Sequence, residues 1–456
     1  MERPNRIRGC RLQSAHTEKY TKRADPFRFW DSGPLARRLK SSGALKSRGL
    51  FSRGVFPFVS AASNFHWYVG QLEARSALLA WGLVGAAGNT IGRDSPPLGQ
   101  ATIRIGGRTV RSERNWAVVE SLSPDTPYDY AIDIDGQTRG RGRLRTWEER
   151  SERFCFFVIG DYGDGSSGQY RVAEALTAEF EKRAESECPV RFVLTTGDNI
   201  YADVNLGLGL TVGSGGYDSH WGRKFFVPYA KVLREVPFLP VLGNHDGNET
   251  ESRADLFAYL DNFFFPGNVP ARWYSFAYGG FARFIALDST ENSEAGPPEP
   301  VYLASGEQTE WLKRTLAESD ERWKIPYFHH PPWNAGPLYR GFFDVLGHWA
   351  GMFEKAGVRA VFNGHEHNFQ FSDAARTGGI LYTVAGSGAD LRATDVRGSM
   401  EAECIAGWAA ARIFLCVEID GPTMRIMPMS PEPFRVVDAK GNAVALPLIQ
   451  TLRQPL

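Results

Sequence analysis

The chain has 456 residues, 52 Lys and Arg against 52 Asp and Glu, and a mean hydropathy of −0.31. That length suits two domains with sizeable cores, and no stretch is long and apolar enough to span a membrane. Five cysteines are too few, and odd in number, to imply a disulfide framework.

Residues 1–53 read as a basic tail. Fourteen Lys and Arg stand there against four Asp and Glu, so the remainder of the neutral chain is acidic. Aromatics are scattered and no motif for specific nucleic-acid binding appears, so a solvated, largely disordered tail is expected. Arg37-Arg38 is followed by no apolar run of signal-peptide length. Residues 54–148 then show short β-prone runs, Ala77 to Gly82, Ala101 to Ile105, Trp116 to Glu120 and Tyr128 to Ile134, punctuated by Gly, Pro and Asn. That spacing predicts an all-β sandwich. The segment Leu122-Ser-Pro-Asp-Thr-Pro-Tyr128-Asp-Tyr130 resembles the fibronectin type III signature, with its corner tyrosine after a Leu-x-Pro turn and Trp81 as the buried indole. Residues 149–153 (ERSER) form a charged linker.

From residue 152 to about 430 the pattern becomes strand, loop, helix, strand. Apolar runs at Phe154 to Ile159, Phe192 to Thr196, Phe238 to Leu242, Pro326 to Phe328 and Val358 to Asn363 read as buried strands. Helical spacing marks Tyr170 to Glu185, Glu307 to Ser319 and Gly341 to Ala356, so a sheet core flanked by helices is predicted. Each strand runs into a polar motif. In order these are Gly160-Asp161-Tyr162-Gly163, Gly197-Asp198-Asn199-Ile200-Tyr201, Gly243-Asn244-His245-Asp246, His329-His330-Pro331-Pro332 and Gly364-His365-Glu366-His367. Any one of them alone is an ordinary turn. Together they hold five of the nine histidines at the carboxyl ends of strands, where open α/β sheets bind ligands. Arg412 to Ile419 and Thr423 to Met427 read as closing strands, and 431–456 as a C-terminal extension with a hairpin around Lys440-Gly441-Asn442.

The ordered set resembles the calcineurin-like metallophosphoesterases, and within them the purple acid phosphatases. The resemblance implies an α/β fold, a four-layer β-sandwich flanked by helices, preceded here by the all-β fibronectin-like sandwich. Gly163 stands where most relatives carry a His ligand, and Tyr201 where the purple enzymes use a tyrosinate. Carried over position by position, the first metal would take Asp161, Asp198, Tyr201 and His367. The second would share Asp198 and add Asn244, His329 and His365. His329 is chosen over His330 because the family pattern continues with Pro331, Trp333 and Asn334 in register. Pro326 departs from the valine usual three residues earlier. By the same resemblance His245 is the favoured proton donor, with His330 a phosphate contact or co-donor and Asp246 orienting an imidazole. Asn199 and Asn368 take positions that contact substrate or support the ligands.

Oxygen and imidazole donors without thiolate suit iron, manganese or zinc. Three anionic donors do not cancel the charge of an Fe(III) ion with a divalent partner (Zn, Mn or Fe), so the site stays attractive to phosphate esters. The function implied is hydrolysis of small phosphate monoesters by a dinuclear Fe(III)–M(II) centre using metal-bound hydroxide. The alternatives are a phosphodiesterase or nucleotide hydrolase on the same scaffold, or an inactive fibronectin-linked binding protein. Secretion or a periplasmic location follows from the resemblance, although no signal peptide is visible; oligomeric state is left open.

Overall fold

The computed structural model describes residues 65–84, 91–201, 204–205, 211–212, 221–248, 256–292, 300–336 and 339–452. The basic tail and nearly all of the glycine-rich stretch after Tyr201 lie outside these residues.

Seven strands come first: β1 (Phe65–Leu72), β2 (Ala77–Leu83), β3 (Ala101–Ile105), β4 (Arg108–Ser112), β5 (Trp116–Val119), β6 (Pro127–Ile134) and β7 (Gln137–Arg145). They pair antiparallel in two sheets, ordered β1-β2-β5 and β4-β3-β6-β7. Alternation decides which residues face inward: Ala101, Ile103 and Ile105 of β3 are buried, while Arg104 between them is exposed. Trp81 is fully buried on β2. Tyr128, at the start of β6, accepts a hydrogen bond from the Ser123 amide at 2.8 Å and so ties down the preceding corner.

The next elements are β8 (Arg153–Ile159), α1 (Ser167–Ala184), β9 (Val190–Thr195), β10 (Phe238–Pro240), β11 (Tyr274–Tyr278), β12 (Ala282–Ala286), α2 (Glu307–Glu318) and β13 (Trp323–Tyr327). After them come α3 (Phe343–Lys355), β14 (Ala360–Asn363), β15 (Phe369–Ser372), β16 (Leu381–Ala385), β17 (Ile405–Ala409), β18 (Phe414–Asp420), β19 (Thr423–Met429) and β20 (Leu448–Thr451). Two mixed sheets result, a six-stranded one ordered β10-β9-β8-β18-β19-β20 and a seven-stranded one ordered β11-β12-β13-β14-β16-β15-β17. In both, the strands that lead into the polar motifs run parallel to one another: β10, β9 and β8 in one, β13 and β14 in the other. Their carboxyl ends therefore lie along one edge of each sheet.

Aromatic side chains join the two sheets. Phe156 on β8 stacks with Phe192 on β9 at 5.3 Å and meets Phe284 on β12 edge-on at 5.1 Å. On the opposite face of the seven-stranded sheet Ile285 and Val361 pack with Leu312 of α2 and with Trp349 and Phe353 of α3. On α1 the Ser166 side chain accepts from the Gln169 amide at 3.2 Å, and Lys182 and Arg183 complement the helix's negative end. Pro326 lies inside β13, a place proline rarely takes; the ladder to β14 begins only at Tyr327, beyond its missing N–H.

The N-terminal sandwich packs directly on the region that follows residues 149–153. Trp147 is buried against Phe192, Phe276 and Tyr278, the Tyr68 hydroxyl donates to the Asn262 carbonyl at 2.6 Å, and Arg234 covers the Trp67 ring. At the C-terminus Val437 bridges antiparallel to Ala443 across the Lys440-Gly441-Asn442 turn, the Asp438 amide donates to the Asn442 carbonyl at 2.9 Å, and the Asp438 carboxylate accepts from the Lys440 and Asn442 amides. The strand beyond this turn, β20, completes the six-stranded sheet.

Candidate metal centre

Asp161 follows β8 and Asp198 follows β9, each with a left-handed backbone (φ 54° and 48°). That conformation turns both carboxylates back over the strand ends, and both are buried. Asn244 follows β10, His329 follows β13, and His365 and His367 follow β14. The two sheets thus contribute donors to one place from opposite sides.

Two clusters form there. In the first, the Tyr201 hydroxyl lies 3.2 Å from Asp161 Oδ1, 3.1 Å from Asp198 Oδ2 and 3.2 Å from His367 Nε2, with His367 Nε2 3.5 Å from Asp161 Oδ1. In the second, Asn244 Oδ1 lies 3.0 Å from His329 Nε2 and 3.1 Å from His365 Nδ1, and those two nitrogens are 3.2 Å apart. Asp198 belongs to both, since its Oδ2 also lies 3.4 Å from His329 Nε2. All seven expected ligands converge.

The orientations suit cations. His329 Nδ1 donates to the Thr196 carbonyl at 2.8 Å, which leaves Nε2 with a lone pair aimed at the lone pairs of Asn244 and Asp198. His367 is turned likewise by Asp390, whose Oδ2 lies 3.3 Å from Nδ1. Lone pairs facing one another at such distances need a proton or a metal between them. Without metal the electrostatics say the same: burial opposes the charge on His329, but the Asp198 carboxylate pushes it up to about 9. For His367 the opposition of burial is overcome by hydrogen bonds to Asp161 and Asp390, again up to about 9. Burial, with Asp161 and Asp198 adding to it, holds the Tyr201 phenol well above its usual range.

Gly163 shows why the first motif carries no histidine here. A Cβ at that position would run into the Asn199 carbonyl oxygen and lie 2.7 Å from Ile200 Cα. The Tyr201 amide is bonded to the Gly163 carbonyl at 2.9 Å, which holds the first two motifs backbone to backbone.

The remaining expected residues fall into different surroundings. His245 donates its backbone N–H to Asp198 Oδ1 at 2.8 Å, and its ring centroid lies 4.7 Å from that of Tyr201. His330 Nδ1 is 3.0 Å from Ser289 Oγ, and the ring packs 4.5 Å from His365; burial, with the His329 charge beside it, lowers it to about 3. Asp246 is held by the backbone and side chains of neighbouring loops. Its oxygens accept from the Gly243 amide and from both the amide and the side chain of Asn199, at 2.7 to 3.0 Å. Burial, and then Asp198, push its carboxyl up to about 7. Asn199 is fully buried, and its side chain is spent on Tyr162, Thr195, Val241 and Asp246. Asn368 is buried too and accepts from Gln370 at 2.8 Å. Asp246 and Asn199 therefore brace the loop that presents Asp198. Asp390 and Arg392, beyond β16, are the site residues missed. Their signal was a sixth strand running into a glycine motif, Gly386-Ser387-Gly388.

Residues 154–369 match the family model of the calcineurin-like phosphoesterases. This stretch is a calcineurin-like phosphoesterase domain. All seven donors lie within the phosphoesterase domain, whereas Asp390 and Arg392 lie outside the matched residues. A dinuclear metal centre is what this family implies, and the Asp161–Asp198–His329 group can hold a metal. Among relatives, an uncharacterized protein of Mycobacterium tuberculosis is 25% identical over 346 residues, covering 69% of this chain and 62% of its own length. Purple acid phosphatase 15 of Arabidopsis thaliana is 28% identical over 183 residues, 37% of this chain and 32% of that protein. The chain thus spans less than two thirds of the length of either. The structure of purple acid phosphatase PPD1 from yellow lupin seeds superposes with a TM-score of 0.58 at 16% identity, covering 84% of this chain and 73% of that one. At that identity the likeness concerns the fold.

Proposed function

We propose that this chain is a phosphoric ester hydrolase acting on phosphate monoesters, of the acid phosphatase type, with a ferric ion beside a divalent one. The observation that carries the proposal is the Tyr201 hydroxyl, in contact with Asp161, Asp198 and His367 at once. A phenol given up to a shared metal site is a hard anionic donor suited to Fe(III). Asp161, Asp198, Tyr201 and His367 would hold it, and Asp198, Asn244, His329 and His365 would hold its partner. Bound there, the pair would supply Lewis-acid polarisation of the ester and an ionised water at moderate pH.

The chain's own residues do the rest. Asp161 and Asp198, buried and fixed by the His365 and His245 amides, keep the donors in place without help from solvent. His245, beside Tyr201 and partly exposed at the start of the helical turn His245–Asn248, gives its proton to the departing alkoxide. His330, neutral and held by Ser289, contacts the phosphate. Residues 65–148 serve as a fibronectin type III-like packing domain without chemistry of its own.

Metal analysis, a visible spectrum and paired turnover of aryl phosphate monoester and diester by the purified chain test this. Expected are two metals per chain, a tyrosinate band and faster monoester turnover. A clear diester preference would make it a phosphodiesterase; absence of both metal and turnover would make it a binding protein.

A further inference from the structure

One cation beside the donor clusters has no part in these roles. Arg392 lies in the loop after β16, where its amide is bonded to the His367 carbonyl at 2.8 Å. Its Nη1 donates to the His365 carbonyl at 3.2 Å and lies 3.5 Å from Glu366 Oε1. Glu366 is fully buried, with Oε2 3.4 Å from Asn334 Nδ2. The guanidinium carbon sits 5.3 Å from the Tyr339 ring centroid, and that ring lies 4.4 Å from the His365 ring. A buried carboxylate, a backbone carbonyl and an aromatic face thus fix one positive charge against the backbone of two metal ligands.

Arg392 is not used up by these contacts. Both polar contacts engage Nη1, so Nε and Nη2 have no acceptor among the described residues. The side chain is 22% exposed, within reach of a solute. Asp390, the nearest acid in the loop, turns to His367 instead.

We propose that Arg392 is a substrate-binding residue that takes a terminal oxygen available only in a phosphate monoester, and so sets preference for monoesters over diesters. The proposal rests on the phosphate-ester reading above. A monoester has three terminal oxygens and close to two negative charges near neutral pH; a diester has two oxygens and one charge. Two cations can clamp two oxygens. The third, present only in the monoester, meets a planar donor fork whose geometry suits phosphate.

The test compares wild type with R392Q and R392K, each checked for metal content and thermal unfolding. For R392Q, kcat/KM on an aryl monoester should fall about 10- to 100-fold, mainly through KM, while the diester changes by less than about threefold. Inorganic phosphate, titrated calorimetrically as a probe, should bind R392Q weaker by a similar factor. R392K should recover part of the loss, since it keeps the charge but not the fork. Equal losses on both esters, or unchanged phosphate binding, would overturn the assignment. Should R392Q fail to fold, R392K decides: an unaltered monoester-to-diester ratio and phosphate affinity would sink the proposal. Wild type that binds metal but turns over neither ester defeats the phosphatase reading itself, while phosphate affinity that depends on Arg392 would still support its anion-binding role.

Discussion

Loading the metal-free protein should expel protons from two histidines. His329 and His367 are both held at about 9 by neighbouring carboxylates, so at pH 7 each carries a proton exactly where a ligand lone pair is required. Coordination requires neutral imidazole, so each bound pair of metals displaces about two histidine protons, and tyrosinate coordination releases the Tyr201 phenol proton as well. Near pH 7 the two histidine protons make the overall binding constant for the pair of cations rise about a hundredfold per pH unit, or ~2.7 kcal/mol per unit at ~1.36 for each proton, and the slope flattens as pH approaches about 9. Calorimetric titration of the metal-depleted chain with Mn(II), in buffers of different ionisation enthalpy, reads both the affinity and the proton count. Replacing Asp390 by Asn weakens the hold on the His367 proton while leaving all seven donors in place, so the count should drop by up to one and the slope should flatten. The same groups make the metal-free form less stable in base: a folded pKa above the unfolded 6.5 stabilises fully below 6.5, and that contribution is lost as pH rises through about 9. Full metal uptake with no proton release, or an affinity independent of pH, would refute the reasoning.

Gly163→Ala, forced against the Asn199 carbonyl, should cost about 1–3 kcal/mol in denaturant unfolding and lower metal content, whereas Gly351→Ala, in helix α3 with nothing within 4 Å, should be neutral or stabilising by up to ~1 kcal/mol. Tyr201→Phe should abolish the visible band of iron-loaded protein; an unchanged band removes the phenol from the site. Asp246→Asn sets an amide against three N–H donors and should cost about 1–3 kcal/mol without moving the pH profile of turnover. A shifted profile with stability intact would return Asp246 to a role beside an imidazole. Trp147→Ala should lose about 3–5 kcal/mol and keep one calorimetric transition; two transitions would mean that the sandwich and the phosphoesterase domain unfold independently.

Strands ending in polar motifs were legible because a buried parallel strand is a continuous apolar run, as in Phe154 to Ile159. The helices were legible too, with ends within a few residues: Glu307–Glu318 against an expected Glu307 to Ser319. Edge and partly exposed strands were not. β4 (RTVRS) and β7 (QTRGRGRLR) are rich in arginine and glycine and owe their state to partners across the sheet. At the site, donor identity could be read because a side chain either has a lone pair to offer or lacks one. Surroundings could not: Asn199 and Asp246 are polar residues next to donors, and only the fold reveals that their bonding capacity is already filled. Asp390 and Arg392 were missed because the strand and glycine motif ahead of them carry no donor of their own, and only the fold shows that β16 delivers the pair to His367 and His365.

The phenylalanine wall between the two sheets bears on the cations some distance away. Asp161 and Asp198 hang from one sheet and His329, His365 and His367 from the other, so the spacing of the donors is only as constant as the gap that Phe156, Phe192, Phe284 and Phe362 keep open. These rings act as shims. Thinning one of them would let the two halves of the coordination cage drift relative to each other, and a change made in dry hydrocarbon would be felt as loosened grip on a metal.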